Sequence, residues 1–293
     1  MTREDFLSRL RGGDVIVADG AMGTMLQAAG LPSGMAPEEW LLENPESVID
    51  VHQAYLAAGA DMILTCTFGA TLPRLERSGL GDRVGEINHR AVEIAREASN
   101  GDAYVAGDIG PMGEFLAPLG EISYEEAAEI FAEQAGALVE AGVDVLYIET
   151  MAALDEVKAA VEGALRAGKG TPVTATLSFD SHGRTNMGVR PEEAAEVLVE
   201  LGVDGLGANC GATLDMTLGA VETMCEVAPE MPLIAKPNAG TPRLVDDDVV
   251  YDAMPEDMAA YARKLHDLGV RIIGGCCGST PEHIAAIANA VES

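Results

Sequence analysis

The sequence predicts a (β/α)8 barrel of the TIM type, formed as a single domain by residues 1–293. Short apolar runs rich in β-branched residues alternate eight times with amphipathic, Ala/Glu-rich stretches, as in parallel strands connected by helices. A length of 293 residues is ordinary for one such barrel, and no linker-like stretch divides the chain. The alternative is an open doubly wound sheet with a G-x-G-x-x-G turn, but the first strand is followed by D-G-A-M-G-T.

Each predicted strand is a short apolar run that precedes a polar or glycine-rich turn. The eight strands are Val15–Ala18, Met62–Thr65, Tyr104–Gly107, Val145–Ile148, Val173–Phe179, Gly205–Ala208, Leu233–Ala235 and Arg271–Gly274. Their regular alternation with helical stretches favours the closed barrel over the open sheet.

The clearest helices have apolar residues at spacings of three and four. They are Pro45–Ala58, Ser123–Ala141, Pro191–Leu201, Pro255–Leu268 and Pro281–Val291. Proline is favoured in the first turn of a helix, and Ser123 begins an S-Y-E-E sequence close to a capping box. Glycines such as Gly142 and Gly269 follow the last helical residue and predict the helix ends.

The charge of the chain restricts its partners. A net charge of −30, from 18 basic and 48 acidic residues, predicts that the protein binds neither nucleic acid nor anionic membranes. No apolar run reaches the length of about 18 residues of a transmembrane helix, and the first residues lack a secretory signal, so we expect a cytoplasmic location. The spread of the acidic residues indicates solvated helix faces, while adaptation to high salt is the alternative.

Polar residues and cysteines follow most of the predicted strands, at the end of a barrel where function resides. They are Asp19, Cys66, Thr67, Asp108, Glu149, Asn209, Cys210, Lys236, Asn238, Cys276 and Cys277. So many polar residues at strand ends are hard to explain by core packing, and we therefore expect a functional site there.

The cysteines are the sharpest signal among these residues. The total of five is odd, which argues against a framework of disulfides in a cytosolic chain. Three interpretations remain open for Cys210, Cys276 and Cys277: small buried thiols, a disulfide between the adjacent pair, or a zinc site of three sulfurs with one open position. The glycines around Cys276 and Cys277 permit backbone conformations that turn neighbouring thiols toward one point.

Six motifs occur in the order DGAMGTML, TCTFGA, GDIGP, YIET, GANCG and GGCCGSTPEHI. Together they resemble the homocysteine S-methyltransferase family, which includes the homocysteine-binding module of cobalamin-dependent methionine synthase and betaine–homocysteine methyltransferase. The resemblance covers essentially the whole chain, and the GANCG and GGCCG pair is highly specific. It implies a (β/α)8 barrel and an S-methyltransferase that converts homocysteine to methionine.

The resemblance also implies a zinc cofactor, Zn2+, because the zinc ligands of the family match Cys210, Cys276 and Cys277. Zinc lowers the pKa of a bound thiol, so homocysteine would bind as a thiolate at neutral pH. With three cysteine thiolates beside it, the fourth sulfur lies in an electron-rich site and is nucleophilic without a general base. No catalytic side chain is expected beyond this substrate thiolate.

The strand-end polar groups then form the expected substrate site. The predicted substrate-binding residues are Asp19, Gly20, Ala21, Met22, Thr67, Glu149 and Asn209. The resemblance associates Asp19 and Glu149 with the amino acid head, with Glu149 as the partner of the ammonium, and loop N–H groups are suited to the carboxylate. The alternatives are a turn or helix cap for Asp19 and a structural ion pair for Glu149.

Two other cysteines and the histidines lie outside this site. The chain has T-C-T-F where the family often has T-N-T-F, so we predict that Cys66 is a buried inert thiol, with an approach to the metal as the alternative. Cys225 lies in a helical pattern and is expected to pack. None of the histidines follows a strand, so none is predicted to bind metal.

The sequence contains no recognisable cobalamin-binding or folate-binding module that would identify the methyl donor. Methyl-corrinoid on a separate protein, S-methylmethionine, S-adenosylmethionine and betaine are all compatible with the sequence, and a separate corrinoid- or folate-binding protein is a possible partner. Two alternatives remain open: a corrinoid-linked methyltransferase with another substrate, and a non-catalytic thiol- or zinc-binding subunit. The presence of Asp19, Glu149 and all three cysteines argues against the last.

Overall fold

The strands form a closed parallel barrel in the computed structural model, which describes residues 3–180, 182–245 and 248–292. These residues contain the strands β1 Ile16–Val17, β2 Met62–Leu64, β3 Tyr104–Ile109, β4 Val145–Met151, β5 Val173–Leu177, β6 Gly205–Cys210, β7 Leu233–Pro237, β8 Pro242–Val245, β9 Asp248–Tyr251 and β10 Ile272–Ile273. Eight of them make one parallel sheet in the order β1-β10-β7-β6-β5-β4-β3-β2. A bridge between Ala18 and Met62 joins β1 to β2, so the predicted (β/α)8 barrel is confirmed.

Several barrel strands extend further toward their C-terminal ends than the sequence predicted. The last residues of these strands include four polar residues that were predicted to lie in the loops that follow the strands: Asp108, Glu149, Asn209 and Lys236. The reason is that the parallel register continues through them, with Asn209 of β6 paired to Lys236 of β7. Backbone hydrogen bonds therefore hold these polar residues rigidly. β5, in contrast, ends before the predicted Phe179.

Helices surround the barrel and connect its strands. Those within the described ranges are α1 Arg3–Gly12, α2 Met22–Ala28, α3 Pro37–Glu43, α4 Pro45–Ala57, α5 Leu72–Arg77, α6 Val84–Ser99, α7 Tyr124–Ala141, α8 Leu154–Ala167, α9 Pro191–Leu201, α10 Leu214–Val227, α11 Pro255–Leu268 and α12 Pro281–Val291, with a short 3-10 turn at Gly81–Arg83. The five predicted helices are confirmed to within one residue at each end. In the part of the chain that is described, none of the helices has the length and apolarity needed to cross a bilayer.

The local end signals of α7 explain its boundaries. The Ser123 hydroxyl accepts a hydrogen bond from the Glu126 N–H at 3.2 Å, and the Glu126 carboxylate accepts one from the Ser123 N–H at 2.8 Å. This capping box satisfies two N–H groups that the helix itself leaves free. Gly142 ends the helix with a φ of 98°, a left-handed conformation that glycine adopts without strain.

Helix α1, which the sequence analysis did not single out, closes the N-terminal end of the barrel. Phe6 and Leu10, four residues apart and fully buried, pack against strand residues that face the barrel axis, such as Ile16 and Tyr104. The rings of Phe6 and Tyr104 meet edge to face with centroids 5.4 Å apart. Because this end is filled by apolar side chains, the C-terminal end is where a ligand has access.

The antiparallel hairpin of β8 and β9 follows β7 and was also not predicted. This region contains the acidic run VDDDVV, and the sequence analysis assigned the acidic residues of the chain to solvated helix faces. The described residues of the run belong to strands instead, while Asp246 and Asp247 lie outside the described residues. Tyr251 of the hairpin packs so closely on Gly278 that no side chain has room there, and Gly278 has a φ of 77°. The hairpin therefore lies against the loop that follows β10 and contributes to the mouth of the barrel.

Candidate metal and substrate site

A cavity of about 640 Å³ opens at the C-terminal end of the barrel. Of the predicted site residues, those that line it are Asp19, Gly20, Ala21, Met22, Thr67, Glu149, Cys210, Cys276 and Cys277. Val249 and Tyr251 of the hairpin complete one side of the wall. The structure thus brings residues from seven of the eight βα units, and nearly all of the predicted set, to one space.

The three predicted cysteine ligands converge within this cavity. The Sγ atoms of Cys210, Cys276 and Cys277 all lie within 4.8 Å of one another. Cys210 is the last residue of β6 and has a left-handed φ of 59°, which is unusual for a residue with a side chain. The N–H of Cys276 donates to the Pro237 carbonyl at 2.7 Å and thereby ties the loop behind β10 to β7.

The hydrogen bonds among these thiols concentrate negative charge on one sulfur. The thiols of Cys276 and Cys277 lower the pKa of Cys210 to about 3, because both form hydrogen bonds to its sulfur. The same contact raises the pKa of Cys277 to about 11. Three convergent cysteine sulfurs that stabilise a thiolate fit a soft-ligand metal such as zinc, and the cavity beside them gives a further ligand access.

Asp19 and Lys236 form a buried ion pair at the base of the cavity. Asp19 Oδ1 lies 3.1 Å from Lys236 Nζ, and Asp19 Oδ2 accepts a hydrogen bond from the Leu64 N–H at 2.8 Å. Burial raises the pKa of Asp19, although Lys236 opposes this shift. Both carboxylate oxygens of Asp19 thus have protein partners, and neither alternative from the sequence, a turn or a helix cap, describes its role.

Glu149 lies on β4 beside the thiols and is buried. Its Oε2 accepts a hydrogen bond from Asn209 Nδ2 at 3.2 Å, a neutral partner rather than the cation of a structural ion pair. Burial raises the pKa of Glu149 to about 7; Lys236 opposes this shift, and the negative charges of Cys210 and Asp19 add to it. This carboxylate is therefore short of positive charge.

Of the predicted site residues, Asn209 does not line the cavity. It is fully buried behind the cavity wall, where its Oδ1 accepts hydrogen bonds from the Thr150 N–H at 2.8 Å and the Thr176 hydroxyl at 2.7 Å. Its Nδ2 donates to Glu149 and lies 3.9 Å from the Cys276 sulfur. The amide is thus engaged by protein groups and helps to position Glu149, while a contact between Asn209 and substrate stays a prediction.

The loop after β1 forms the opposite wall. The Tyr55 hydroxyl, from α4, lies 2.9 Å from the Ala21 carbonyl and 2.8 Å from the Ser279 carbonyl, and so links this loop to the one behind β10. Gly20 packs against the Tyr55 ring and leaves no room for a side chain. Thr67 also lines the cavity, and its hydroxyl donates to the Asp108 carbonyl at 2.7 Å.

Cys66 and Cys225 lie apart from the thiol cluster. Cys66 is 3% exposed, and burial raises its pKa well above the usual value, so it stays a protonated thiol as expected of an inert one. Cys225, on α10, packs against the hydrophobic core as predicted. The described groups of three or more potential metal ligands contain neither residue, nor any histidine.

Sequence reasoning missed several residues of the site. Lys236 was noted at a strand end but not assigned to Asp19, although a lysine within the apolar run LIAKP needs a buried partner. Glu38 of α3 and Arg74 of α5 also line the cavity, and no sequence motif marks them. The Glu38 carboxylate accepts a hydrogen bond from the Gly69 N–H at 2.6 Å.

The fold and the site together define a class: a (β/α)8-barrel protein with a candidate metal centre of three cysteines open to a ligand cavity. A profile of the homocysteine S-methyltransferase family matches residues 16–291, and the chain belongs to that family.

Individual relatives agree with this assignment. Betaine–homocysteine S-methyltransferase 1 of Mus musculus is 32% identical over 98% of this chain and 74% of its own length. Methionine synthase of Mycobacterium tuberculosis is 33% identical over 95% of this chain, which spans only 25% of that protein. The crystal structure of the metallated form of the homocysteine methyltransferase MmuM from Escherichia coli has a TM-score of 0.81 and 28% identity, covering 96% of this chain and 99% of that one.

Proposed function

We propose that the protein is a zinc-dependent S-methyltransferase that transfers a methyl group to homocysteine and forms methionine. The observation that carries this proposal is the convergence of three sulfurs within 4.8 Å beside a cavity lined by Asp19 and Glu149. Membership of the homocysteine S-methyltransferase family supports it. We further propose a cytoplasmic location, because a reducing compartment keeps these thiols free.

Cys210, Cys276 and Cys277 are the proposed zinc ligands. Zinc held by three thiolates supplies a positive centre that lowers the pKa of a fourth thiol, so that a substrate sulfur is present as the nucleophilic thiolate at neutral pH. Two features hold the ligands in place before substrate arrives. Cys276 is hydrogen-bonded to the backbone of β7, and Cys210 is the last residue of β6. Little reorganisation is then needed on binding.

The remaining site residues orient the amino acid head. We assign the ammonium to Glu149, whose carboxylate is held by Asn209 and has no cationic hydrogen-bond partner among the described residues. The backbone of Gly20, Ala21 and Met22 lines the cavity on the loop after β1 and is assigned to the carboxylate. The pair of Asp19 and Lys236 forms the base of this pocket, and Thr67 completes its wall.

The chemistry needs no further acid or base from the chain. A lone pair of the homocysteine sulfur forms the new bond to the methyl carbon, and the bond between that carbon and the donor breaks with its electron pair leaving on the donor. The thiol proton is released when the sulfur binds, before the methyl transfer. The role of the chain is to align the sulfur with the methyl group, which is the main contribution that positioning makes to such a displacement.

The methyl donor defines a second candidate function. The chain spans about a quarter of the length of the methionine synthases that it matches, so most of those proteins has no counterpart in these residues. A donor carried by a separate corrinoid- or folate-binding protein is therefore the alternative to a free donor such as betaine, S-methylmethionine or S-adenosylmethionine. A corrinoid-linked reaction on another thiol would use the same three cysteines.

The test combines metal analysis with a panel of donors. Zinc-loaded protein is incubated with homocysteine and each donor, and methionine is measured. We expect about one zinc per chain, lost in Cys276→Ala together with methionine formation and retained in Cys66→Ala and Cys225→Ala. Full zinc content in Cys276→Ala would overturn the ligand assignment. Absence of methionine with every donor, free or protein-bound, would overturn the proposed activity.

A further inference from the structure

Asp108 is a buried residue that lines the cavity. Its backbone N–H and carbonyl form hydrogen bonds within the described chain, but one oxygen of its carboxylate does not. On β3, its N–H donates to the Thr65 hydroxyl at 3.0 Å, and its carbonyl accepts from the Thr67 hydroxyl and from Gln134 Nε2. These bonds fix the direction of the side chain, which lines the cavity. In the part of the chain that the structure describes, the buried Oδ1 of Asp108 has no hydrogen-bond partner.

This arrangement costs stability in the absence of a ligand. A carboxylate oxygen removed from water without a hydrogen bond is destabilising, and most buried polar atoms in proteins avoid it. Burial and the neighbouring Glu149 raise the pKa of Asp108 well above its usual value. Lys236 is the cation that attracts it, but the Lys236 ammonium already lies 3.1 Å from Asp19.

The register of the sheet places Asp108 and Glu149 on the same wall of the barrel. Asp108 of β3 pairs with Tyr147 of β4, and Tyr147 points into the barrel beneath Lys236. Side chains alternate along a strand, so Glu149, two residues after Tyr147, faces the same interior. Two carboxylates on adjacent strands therefore border one space, and within the described residues the cation that acts on both is Lys236, which is paired with Asp19.

We propose that Asp108 is a second substrate-binding carboxylate, which accepts a hydrogen bond from the substrate ammonium beside Glu149. This inference rests on the proposed function. An ammonium has three N–H donors, and it can donate to one oxygen of Glu149 that Asn209 does not occupy and to the carboxylate of Asp108, which lines the cavity and whose Oδ1 has no partner within the described residues. One cation between two carboxylates also relieves their mutual repulsion. Asp108 then selects thiols that carry an amine over thiols that do not.

The test measures how zinc-loaded wild type and Asp108→Asn bind three thiols: homocysteine, its analogue without the amino group and its analogue without the carboxyl group. We expect Asp108→Asn to weaken the two amine-bearing thiols about 10-fold to 100-fold, the range for hydrogen bonds to charged groups. The desamino analogue should bind within about 2-fold of wild type. Zinc content should not change.

A thermal measurement separates this role from a structural one. Because ionised Asp108 is a buried carboxylate with an unpartnered oxygen, we expect ligand-free Asp108→Asn to melt about 2 °C or more above wild type at mildly alkaline pH. The matched control is Asp144→Asn, which removes a buried carboxylate that is paired with Arg96 at 2.9 Å. That variant should melt at a lower temperature and bind each of the three thiols as the wild type does.

The outcomes are distinct. Unchanged homocysteine binding in Asp108→Asn, or a lower melting temperature with equal weakening of all three thiols, would overturn the inference and leave the proposed function standing. Selective weakening of the two thiols that carry a carboxyl group would show instead that a protonated Asp108 donates to the substrate carboxylate, which also overturns it. Failure of wild type to bind homocysteine at all would reject the proposed function itself.

Discussion

The acidic residues at the two ends of the barrel have opposite surroundings. At the N-terminal end, Asp61, Asp144 and Asp204 each directly precede a strand and exchange backbone and side-chain hydrogen bonds with a residue of the neighbouring strand. Each carboxylate also pairs with an arginine. The partners are Val17 and Arg9 for Asp61, Val105 and Arg96 for Asp144, and Val173 and Arg11 for Asp204.

At the C-terminal end, the carboxylates are progressively less well partnered. Asp19 has a cation and a backbone N–H, Glu149 has the amide of Asn209, and the Oδ1 of Asp108 has no partner in the described chain. The first end therefore uses aspartate to join βα units, and the second keeps carboxylates available to a ligand. Such a division is expected where binding is obtained at the expense of stability.

Among the carboxylates at the C-terminal end, Glu149 should have the largest effect on binding. Replacing it with alanine should weaken homocysteine binding by about 2–4 kcal/mol, since the ammonium loses its ion-pair partner in a desolvated site. Binding of the desamino analogue should change little. Titration calorimetry of the zinc-loaded variant measures both, and equal weakening of the two thiols would reject Glu149 as the ammonium partner.

The counterpart at the other end is Asp144→Asn. It breaks the contact with Arg96 and the bond from the Val105 N–H, so we expect a loss of about 2 kcal/mol in the free energy of unfolding. Homocysteine affinity should be unchanged. Urea denaturation with intact m-values provides the measurement. A stable variant with impaired binding would break the proposed division between the ends.

These contrasts show what sequence patterns reveal. The eight strands and five of the helices were predictable because periodicity and capping residues are local signals. The three cysteines as a set were predicted from the resemblance of the GANCG and GGCCG motifs to the family, since their spacing left other interpretations open. Other features depend on contacts between segments that are separate in the chain. They are the packing of Phe6 and Leu10 into the N-terminal end of the barrel and the contact of Tyr251 with Gly278. The pairing of Lys236 with Asp19, 217 positions apart, depends on such a contact too. The unpartnered state of Asp108 is likewise a property of three-dimensional surroundings.

The pH dependence of stability distinguishes Asp108 further. Its pKa is raised in the folded protein, so the folded state binds the proton more tightly than the unfolded state, and the associated stability is lost as pH rises above the unfolded pKa of about 3.9. The stability advantage of ligand-free Asp108→Asn over wild type should therefore grow as pH rises. Denaturation at mildly acidic and mildly alkaline pH tests this. A constant difference would show that Asp108 has an ordinary pKa.

The smallest expected effect comes from the acidic surface. A net charge of −30 repels itself, and monovalent salt screens that repulsion, so the melting temperature should rise as potassium chloride is added. A flat or falling melting temperature would favour ordinary solvation of the helix faces over adaptation to high salt.

The central claim is that three cysteines hold zinc with one position open to the substrate sulfur, and the zinc K-edge absorption spectrum tests it most directly. In zinc-loaded protein, the spectrum should fit about three sulfurs and one lighter atom, and saturation with homocysteine should change the fit to about four sulfurs. Release of close to one proton per site should accompany the change, because a free thiol with a pKa near 8.5 is mostly protonated at neutral pH. A spectrum that homocysteine leaves unchanged would contradict the account and favour a different substrate for this barrel.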